Sequence, residues 1–221
     1  VLVMASSPGY DPNRLEEIWP RLVQDEASPL LNRASQGAYP PGSTFKVVTA
    51  AGALAANPGL SGKTFSCPGY LEVDGYKLND TAVHGEVNLI EAIAVSCNTT
   101  FARLGIDLGP EGFARAVKAF GLLQDPGLEI PSRSGTIAPA GKMTPAELAS
   151  SAIGQGEALV SPLHMGLVAA AIANKGVIMR PYLVEEIRDS VGNIAHSVTQ
   201  RPWLNATNQA ITEVIKEGMV D

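Results

Sequence analysis

The order of apolar and polar residues along the chain predicts a protein rich in helices. Apolar residues recur at helical spacing in FKVVTAAGALAA, VNLIEAIAVS, TFARLGIDLG, EGFARAVKAFG, TPAELASSAIG, SPLHMGLVAAAIANKG and NATNQAITEVIKEGM. Thr144 and Ser161 precede two of these stretches as N-caps, and Gly154 and Gly176 follow the same two as stops. These boundaries are local signals, so they predict where both helices begin and end.

Strand patterns are fewer and shorter. Residues 1–5 are expected to form a buried strand, and Asn13 is expected to cap the helix that begins in RLEEIWPRL. The Asp-Gly of LEVDGYKL and the turn in EEIRDSVGNIAHSV each predict a hairpin. Strands that turn back between helices favour an α/β (α+β) domain, with an antiparallel sheet packed between helices, over a doubly wound parallel sheet.

Composition and charge exclude several classes of protein. A chain of 221 residues with 45% apolar and 17% charged residues is typical of a globular domain. A net charge of −6 provides no electrostatic surface for nucleic acid.

We expect residues 1–221 to form a single domain. The opening VLVMASS and the closing KEGMVD look cut, so we expect this domain to be incomplete and truncated at both ends.

The pattern of cysteines and histidines predicts no metal centre. Cys67 and Cys97 lie thirty residues apart without Cys/His ligand spacing, which indicates neither a zinc site nor a disulfide framework. His84, His164 and His196 are scattered over the chain. Residues 154–156, Gly-Gln-Gly, lack the third glycine and the preceding strand of a dinucleotide-binding fingerprint. We expect them to form a turn near the substrate cleft. We therefore expect no cofactor and no metal.

The stretch PPGSTFKVVTA contains the first candidate for chemistry. In a helix that starts at or beside Ser43, the Ser43 hydroxyl and the Lys46 amine share one face. The neighbouring apolar residues would bury Lys46 and favour its neutral amine, which can take the proton of a serine nucleophile. The structural alternative is that Ser43 is only an N-cap and that Lys46 is exposed, since the isolated S-x-x-K tetrapeptide is a weak signal.

The second candidate is Ser96-Cys97-Asn98, which interrupts two helical stretches. Its structural alternative is a helix cap, with Ser96 or Asn98 binding free N–H groups of the TFARLG helix. S-x-x-K and S-x-N each occur once in the chain, each at a helix terminus and in this order. This order raises the pair above a chance coincidence.

The two motifs in this order resemble those of the penicillin-binding transpeptidases and the serine β-lactamases. The segments LNRASQGAYPPGSTFKVVTA, HGEVNLIEAIAVSCNTTFARLG and IGQGEALVSPLHMGLVAAAIANKGVIMRPYLV are similar, in order, to monofunctional, class B penicillin-binding proteins. The resemblance covers nearly the whole chain. It implies a β-lactamase/DD-transpeptidase-like fold and a peptidoglycan D,D-transpeptidase.

The resemblance also implies a role for each of the four residues. Ser43 would be the nucleophile acylated by the penultimate D-Ala of a peptidoglycan stem peptide, and Lys46 would be its base. Ser96 would relay a proton to the leaving nitrogen. Asn98 would bind the substrate amide and orient Lys46. β-Lactams would acylate the same serine.

Partners and location follow from the same resemblance. It implies stem peptides and β-lactams as ligands, and a glycan-strand polymerase and other cell-wall synthesis proteins as partners. It places the parent protein on the extracytoplasmic face of the bacterial cell membrane, anchored by an N-terminal segment outside this chain. A role in elongation, division or sporulation is left open.

The chain departs from the family pattern at the third motif, K-T-G. Residues 62–64 (GKT) and 141–143 (GKM) do not match it, and we expect the motif in a strand beyond this chain. A β-lactamase or a β-lactam sensor domain is an alternative within the fold, although Glu147 lacks the E-x-x-L-N context of class A β-lactamases. A non-catalytic cell-wall scaffold is the alternative of another class. The presence of both motifs with all four polar residues argues against a scaffold.

Overall fold

The computed structural model describes residues 1–220, which contain eight α-helices and two groups of four short strands. The helices are α1 (Leu15–Leu22), α2 (Arg33–Gln36), α3 (Lys46–Ala56), α4 (Leu89–Ala94), α5 (Asn98–Ala119), α6 (Pro145–Ala152), α7 (Pro162–Ala173) and α8 (Gln209–Val220). The strands are β1 (Thr64–Cys67), β2 (Tyr70–Val73), β3 (Tyr76–Asn79), β4 (Gly85–Asn88), β5 (Val177–Met179), β6 (Glu186–Arg188), β7 (Ile194–Ser197) and β8 (Pro202–Asn205).

The strands pair as two-stranded antiparallel ladders, which confirms the predicted antiparallel pairing. β1 pairs with β4, β2 with β3, β5 with β8, and β6 with β7. The β2–β3 and β6–β7 hairpins are the two that the turn residues predicted. The β1–β4 ladder pairs Phe65 with Val87 and Cys67 with Gly85, so it joins the two ends of the segment that contains the β2–β3 hairpin.

Helix boundaries follow the capping residues. The Thr144 side chain accepts the Glu147 N–H, and the Glu147 carboxylate accepts the Thr144 N–H, which forms the predicted capping box of α6. Ser161 caps α7, whose first residue is Pro162. Within residues 1–220, no helix is both long enough and apolar enough to cross a membrane.

Two predictions near the N-terminus are wrong. Residues 1–5 form no strand, and Leu2 is fully exposed, because no strand within residues 1–220 pairs with them. Asn13 does not cap α1. A 3₁₀ turn, Pro12–Arg14, comes first, and Asp11 begins this turn by accepting the Asn13 N–H at 2.9 Å. The Asp11 side chain therefore forms an Asx turn ahead of α1.

The core is built where α3 packs on α5 and α5 packs on α6. The Phe45 and Phe113 rings are both fully buried, with centroids 5.7 Å apart. A Cβ at Gly105 would lie 2.3 Å from the Ala152 Cβ, so α5 and α6 approach closely at this glycine. This packing fixes the N-terminus of α3 beside the N-terminus of α5.

A backbone contact holds the turn that precedes α3. The Gly42 N–H donates to the Gly154 carbonyl at 2.8 Å. Gly154 has a φ of +76°, and a Cβ there would lie 2.0 Å from the Gly42 carbonyl oxygen. The Gly-Gln-Gly turn predicted from the sequence therefore lies against the residue before Ser43.

We expect Gly154→Ala to lower the free energy of unfolding by about 2–5 kcal/mol, because it adds left-handed strain to a backbone clash. Gly166→Ala is the matched control, since a Cβ at Gly166 in α7 meets open space. This control should raise stability by about 0.5–1 kcal/mol. Urea unfolding measures both variants, and equal stability of the two would contradict the contact.

Candidate active site

Ser43 and Lys46 lie on the first turn of the chain segment that becomes α3. This turn, Gly42–Phe45, is a 3₁₀ helix, and α3 begins at Lys46. Ser43 is exposed, whereas Lys46 is only 3% exposed. The prediction that a helix starts beside Ser43 is confirmed. The alternative of an exposed lysine is wrong, because the apolar residues around it bury Lys46.

Residues 96–98 connect α4 to α5 and present two polar side chains to Lys46. Ser96 adopts a left-handed φ of +55°, which ends α4 and is uncommon for a residue other than glycine. Cys97, not Ser96 or Asn98, is the N-cap of α5, and its Sγ accepts the Thr100 N–H at 3.3 Å. The alternative that Ser96 or Asn98 serves only as a helix cap is therefore wrong.

The Lys46 amine joins the two motifs. Its Nζ lies 3.2 Å from Ser43 Oγ, 2.9 Å from Ser96 Oγ and 2.7 Å from Asn98 Oδ1. It also lies 2.5 Å from the Ser96 carbonyl oxygen. The structure thus brings together all four residues predicted from the sequence, although Ser96 is fifty residues from Lys46 along the chain.

The protonation of Lys46 suits a base. Burial lowers the pKa of Lys46 to about 8, although the negative charge of Asp80 acts in the opposite direction. Four oxygens lie within hydrogen-bond distance of Nζ, and the Ser43 and Ser96 hydroxyls among them can donate as well as accept. A neutral amine can donate two hydrogens and accept the Ser43 hydroxyl proton with its lone pair. The geometry therefore supports proton transfer from Ser43 to Lys46.

A second set of contacts holds Asn98 in position against the end of β3. Its Nδ2 donates to the Asn79 carbonyl at 3.2 Å, at the end of β3. The next residue, Asp80, accepts the Thr99 N–H at 2.7 Å. Burial alone would raise the pKa of Asp80, but backbone N–H groups, that of Thr99 foremost, outweigh burial and hold the pKa well below its usual range. Residues 96–98 are therefore tied to β3 as well as to Lys46.

Sequence reasoning missed Asp80 and the surroundings of the cysteines. Cys67, Asp80, His84 and Cys97 meet in space, although no spacing rule in the chain relates them. The other two histidines lie elsewhere. His164 is buried between Ser161 and the Gln124 carbonyl, and His196 is exposed on β7. Only the folded chain reveals the cluster, because its members come from three separate segments: the end of β1, the β3–β4 connection and the N-cap of α5.

The match to a protein family decides the identity of the chain. Residues 1–221 match the family described as penicillin binding protein transpeptidase domain. The chain belongs to this family. The resemblance inferred from the two motifs is thereby confirmed, and the curated relatives are class B members, as the sequence indicated.

Similar proteins support the same assignment. The chain is 38% identical over 203 residues to "Peptidoglycan D,D-transpeptidase PbpA" of Mycolicibacterium smegmatis, covering 85% of this chain and 41% of the relative. A structure titled as the D,D-transpeptidase domain of a peptidoglycan glycosyltransferase from Eggerthella lenta superposes with a TM-score of 0.91 at 28% identity, covering 98% of this chain and 56% of that chain. A penicillin G acyl-enzyme complex of penicillin-binding protein A from M. tuberculosis gives 0.86 at 33% identity, covering 98% and 53%.

The chain matches only part of each similar protein. The chain spans about two fifths of the length of the M. smegmatis relative and about half the length of the two solved chains. The fold is confirmed as that of a penicillin-binding protein transpeptidase domain.

Proposed function

We propose that this chain carries the catalytic serine of a peptidoglycan D,D-transpeptidase, and that it is one part of a single transpeptidase domain. The observation that carries the proposal is the position of Lys46 Nζ, within hydrogen-bond distance of Ser43, Ser96 and Asn98. The name of the M. smegmatis relative supports the reaction. A serine next to a buried lysine supports a serine-type acyl transfer.

The first half of the reaction forms an ester on Ser43. The Oγ attacks the carbonyl carbon of the penultimate D-Ala while its proton passes to the neutral Lys46 amine. The peptide C–N bond then breaks, and Ser96 relays the proton from Lys46 to the leaving D-Ala nitrogen. The contact of 2.9 Å between Lys46 Nζ and Ser96 Oγ supports this relay.

The second half of the reaction makes the cross-link. The amine of a neighbouring stem peptide attacks the ester carbon, transfers its proton back through the same groups and releases Ser43. Asn98 positions the donor peptide, because its Nδ2 has one hydrogen left after donating to Asn79. N–H groups in the first turn of a helix lack partners within the helix, so those beside Ser43 can stabilise the oxyanion.

β-Lactams are expected to acylate the same serine. The acyl-enzyme complex of the M. tuberculosis protein with penicillin G supports this expectation. The decisive test is an intact mass spectrum of the natural full-length protein before and after incubation with penicillin G. One added penicillin mass on the Ser43 peptide, held for hours, would support a transpeptidase. Loss of the adduct within minutes would indicate a β-lactamase, and absence of any adduct would leave a scaffold.

We expect the acylation rate to rise with pH and to level off above about pH 8. Because burial lowers the pKa of Lys46 to about 8, the ammonium predominates below this pH and cannot take the Ser43 proton. The neutral fraction grows about tenfold per pH unit below the pKa. Stopped-flow acylation by a chromogenic cephalosporin measures the profile. A rate that does not change between about pH 6 and pH 9 would exclude Lys46 as the base.

The same proposal extends to partners and location. A solved chain 32% identical to this one comes from a structure titled "Structural coordination of polymerization and crosslinking by a peptidoglycan synthase complex", which supports a glycan-strand polymerase as a partner in cell-wall synthesis. Peptidoglycan stem peptides lie outside the cytoplasmic membrane, so the proposed site works on the extracytoplasmic face. Affinity purification after cross-linking in cells tests both points.

A further inference from the structure

A cavity of about 230 Å³ lies between β1 and the first turns of α5. The helix contributes Thr99, Arg103 and Asp107, which follow one another at four-residue spacing and so share one helix face. The strand contributes Thr64 and Ser66, its two exposed positions. Among the described residues, none of the four proposed for transpeptidation lines this cavity.

Positive charge predominates in the cavity. Lys63, which precedes β1, lines it together with Arg103, and both residues are exposed. Within residues 1–220, neither side chain has a carboxylate oxygen within 4.0 Å. Asp107 is the one acidic residue among the described residues that line the cavity, so two cations face one carboxylate. On a chain with a net charge of −6, this concentration of positive charge favours an anion.

An aromatic contact holds the Lys63 amine beside the cavity. Its Nζ lies 5.7 Å from the centroid of the Phe65 ring, which is within the range of a cation–π interaction. Phe65 lines the same cavity. This contact positions the ammonium but leaves its charge without a partner of opposite sign.

A buried hydroxyl group in the wall of the cavity has no partner. Thr99 is only 3% exposed, and its Oγ1 makes no hydrogen bond within residues 1–220. Thr207 is the one other described residue with a buried side-chain oxygen or nitrogen in this condition. An unpaired buried hydroxyl is unfavourable, so the large majority of such groups in folded proteins are paired. A ligand oxygen at this cavity would give Thr99 the partner that it lacks.

We propose that this cavity binds a phosphate group through Lys63, Arg103 and the Thr99 hydroxyl. Lysine and arginine are both phosphate ligands, and the guanidinium can donate two parallel N–H groups. A phosphate has enough oxygens to accept from both cations and from a hydroxyl at once, whereas a carboxylate has only two. The Thr64 and Ser66 hydroxyls lie in the same cavity and can donate further hydrogen bonds.

The phosphate can belong to a free phosphate ester or to a lipid headgroup, because both offer the same oxygens. In either case the site goes beyond the proposed function. Acyl transfer on Ser43 requires no phosphate, and neither Lys63 nor Arg103 carries out a step of that reaction.

Titration calorimetry of the full-length protein tests the site with inorganic phosphate as the probe. We expect a dissociation constant of about 0.1–10 mM, within the ceiling for a ligand of this size. Arg103→Gln and Lys63→Gln should each weaken binding about 10–100-fold, because each removes a charge-assisted hydrogen bond. The matched controls Arg115→Gln and Lys118→Gln change exposed charges farther along α5 and should bind phosphate as the parent does.

Thr99→Val separates a phosphate ligand from a structural hydroxyl. Valine keeps the shape of threonine but cannot form the hydrogen bond. Because the Thr99 hydroxyl has no partner, the variant without phosphate should melt at a slightly higher temperature than the parent. Its phosphate affinity should fall about 2–10-fold. A lower melting temperature with unchanged phosphate affinity would show that the hydroxyl only holds the fold, and would contradict its place in the site.

Two further probes identify the source of the phosphate. Glycerol 3-phosphate is a free ester, and dihexanoyl phosphatidylglycerol is a soluble lipid with the phosphate in its headgroup. Tighter binding of either probe than of inorganic phosphate, lost in Arg103→Gln, would support the site and identify its ligand class. Acetate that binds as tightly as phosphate would overturn the assignment in favour of carboxylates. Equal phosphate affinity in the parent, Arg103→Gln and Lys63→Gln, or no binding of phosphate at all, would reject the site.

The outcome is separable from that of the proposed function. A parent protein that gains penicillin mass on Ser43 but binds no phosphate would reject this cavity alone. A protein that binds phosphate through Arg103 but is never acylated would keep the site and remove the transpeptidase. Because Lys63 and Arg103 are exposed, both variants should fold, and without phosphate they should melt at the temperature of the parent.

Discussion

We expect the Ser43→Ala protein to gain no penicillin mass under conditions in which the parent protein gains one. The Ser43 Oγ is the atom that would bond to the acyl carbon, and it is exposed next to a buried amine. Alanine offers no nucleophile in its place. Loss of a catalytic nucleophile removes essentially the whole acyl-enzyme pathway, so the expected effect is loss of the adduct and not a slower rate.

The neighbouring hydroxyl provides the control. Thr44 Oγ1 donates to the Pro41 carbonyl at 2.7 Å, so its proton is directed away from Lys46. Thr44→Ala should keep acylation, and both variants should keep the parent stability within about 0.5 kcal/mol because both side chains are exposed. An adduct on Ser43→Ala would assign acylation to another residue and contradict the proposed mechanism.

Much of the helical fold could be predicted because its signals are local. The caps at Thr144 and Ser161 and the glycine stops at Gly154 and Gly176 fix both ends of α6 and α7 within a few residues. The Asp-Gly turn of β2–β3 is equally local. In each case the residues that determine the structure are themselves part of the element.

Residues 1–5 show where such reasoning fails. An apolar run predicts a strand only if another strand is available to pair with it, and this depends on tertiary structure. The cluster of Cys67, Asp80, His84 and Cys97 was missed for the same reason. Cys67 and Cys97 are thirty residues apart, and Asp80 and His84 join them only after β1 pairs with β4. No ligand spacing in the sequence records that pairing.

The candidate site was predicted in two different ways. Ser43 and Lys46 lie three residues apart, so helical geometry alone brought them together in the prediction. Ser96 and Asn98 lie at least fifty residues from Lys46, and only the resemblance to a family linked them to it. The structure adds the left-handed backbone of Ser96 and the cap at Cys97, which direct both side chains toward Lys46.

We expect Lys46→Met to slow acylation of Ser43 by about 10²–10⁴-fold, the range that a positioned general base contributes. Methionine is similar in length but has no lone pair basic enough to take the Ser43 proton. The folded state should survive, because an apolar side chain suits the buried position of Lys46. Burial of the apolar methionine side chain adds stability, whereas loss of the hydrogen bonds to the Ser96 carbonyl and to Asn98 removes stability. The melting temperature should therefore change little.

Two further variants test whether the effect is specific to Lys46, and whether Lys46 acts as a base or through its charge. Lys216→Met removes an exposed lysine from α8 and should leave acylation unchanged. Lys46→Arg keeps the positive charge but supplies a group that stays protonated, so it cannot accept the proton. Acylation of Lys46→Arg at the parent rate would show that Lys46 acts only through its charge. A slow rate in both Lys46 variants, with an unchanged melting temperature, would identify the neutral amine as the base.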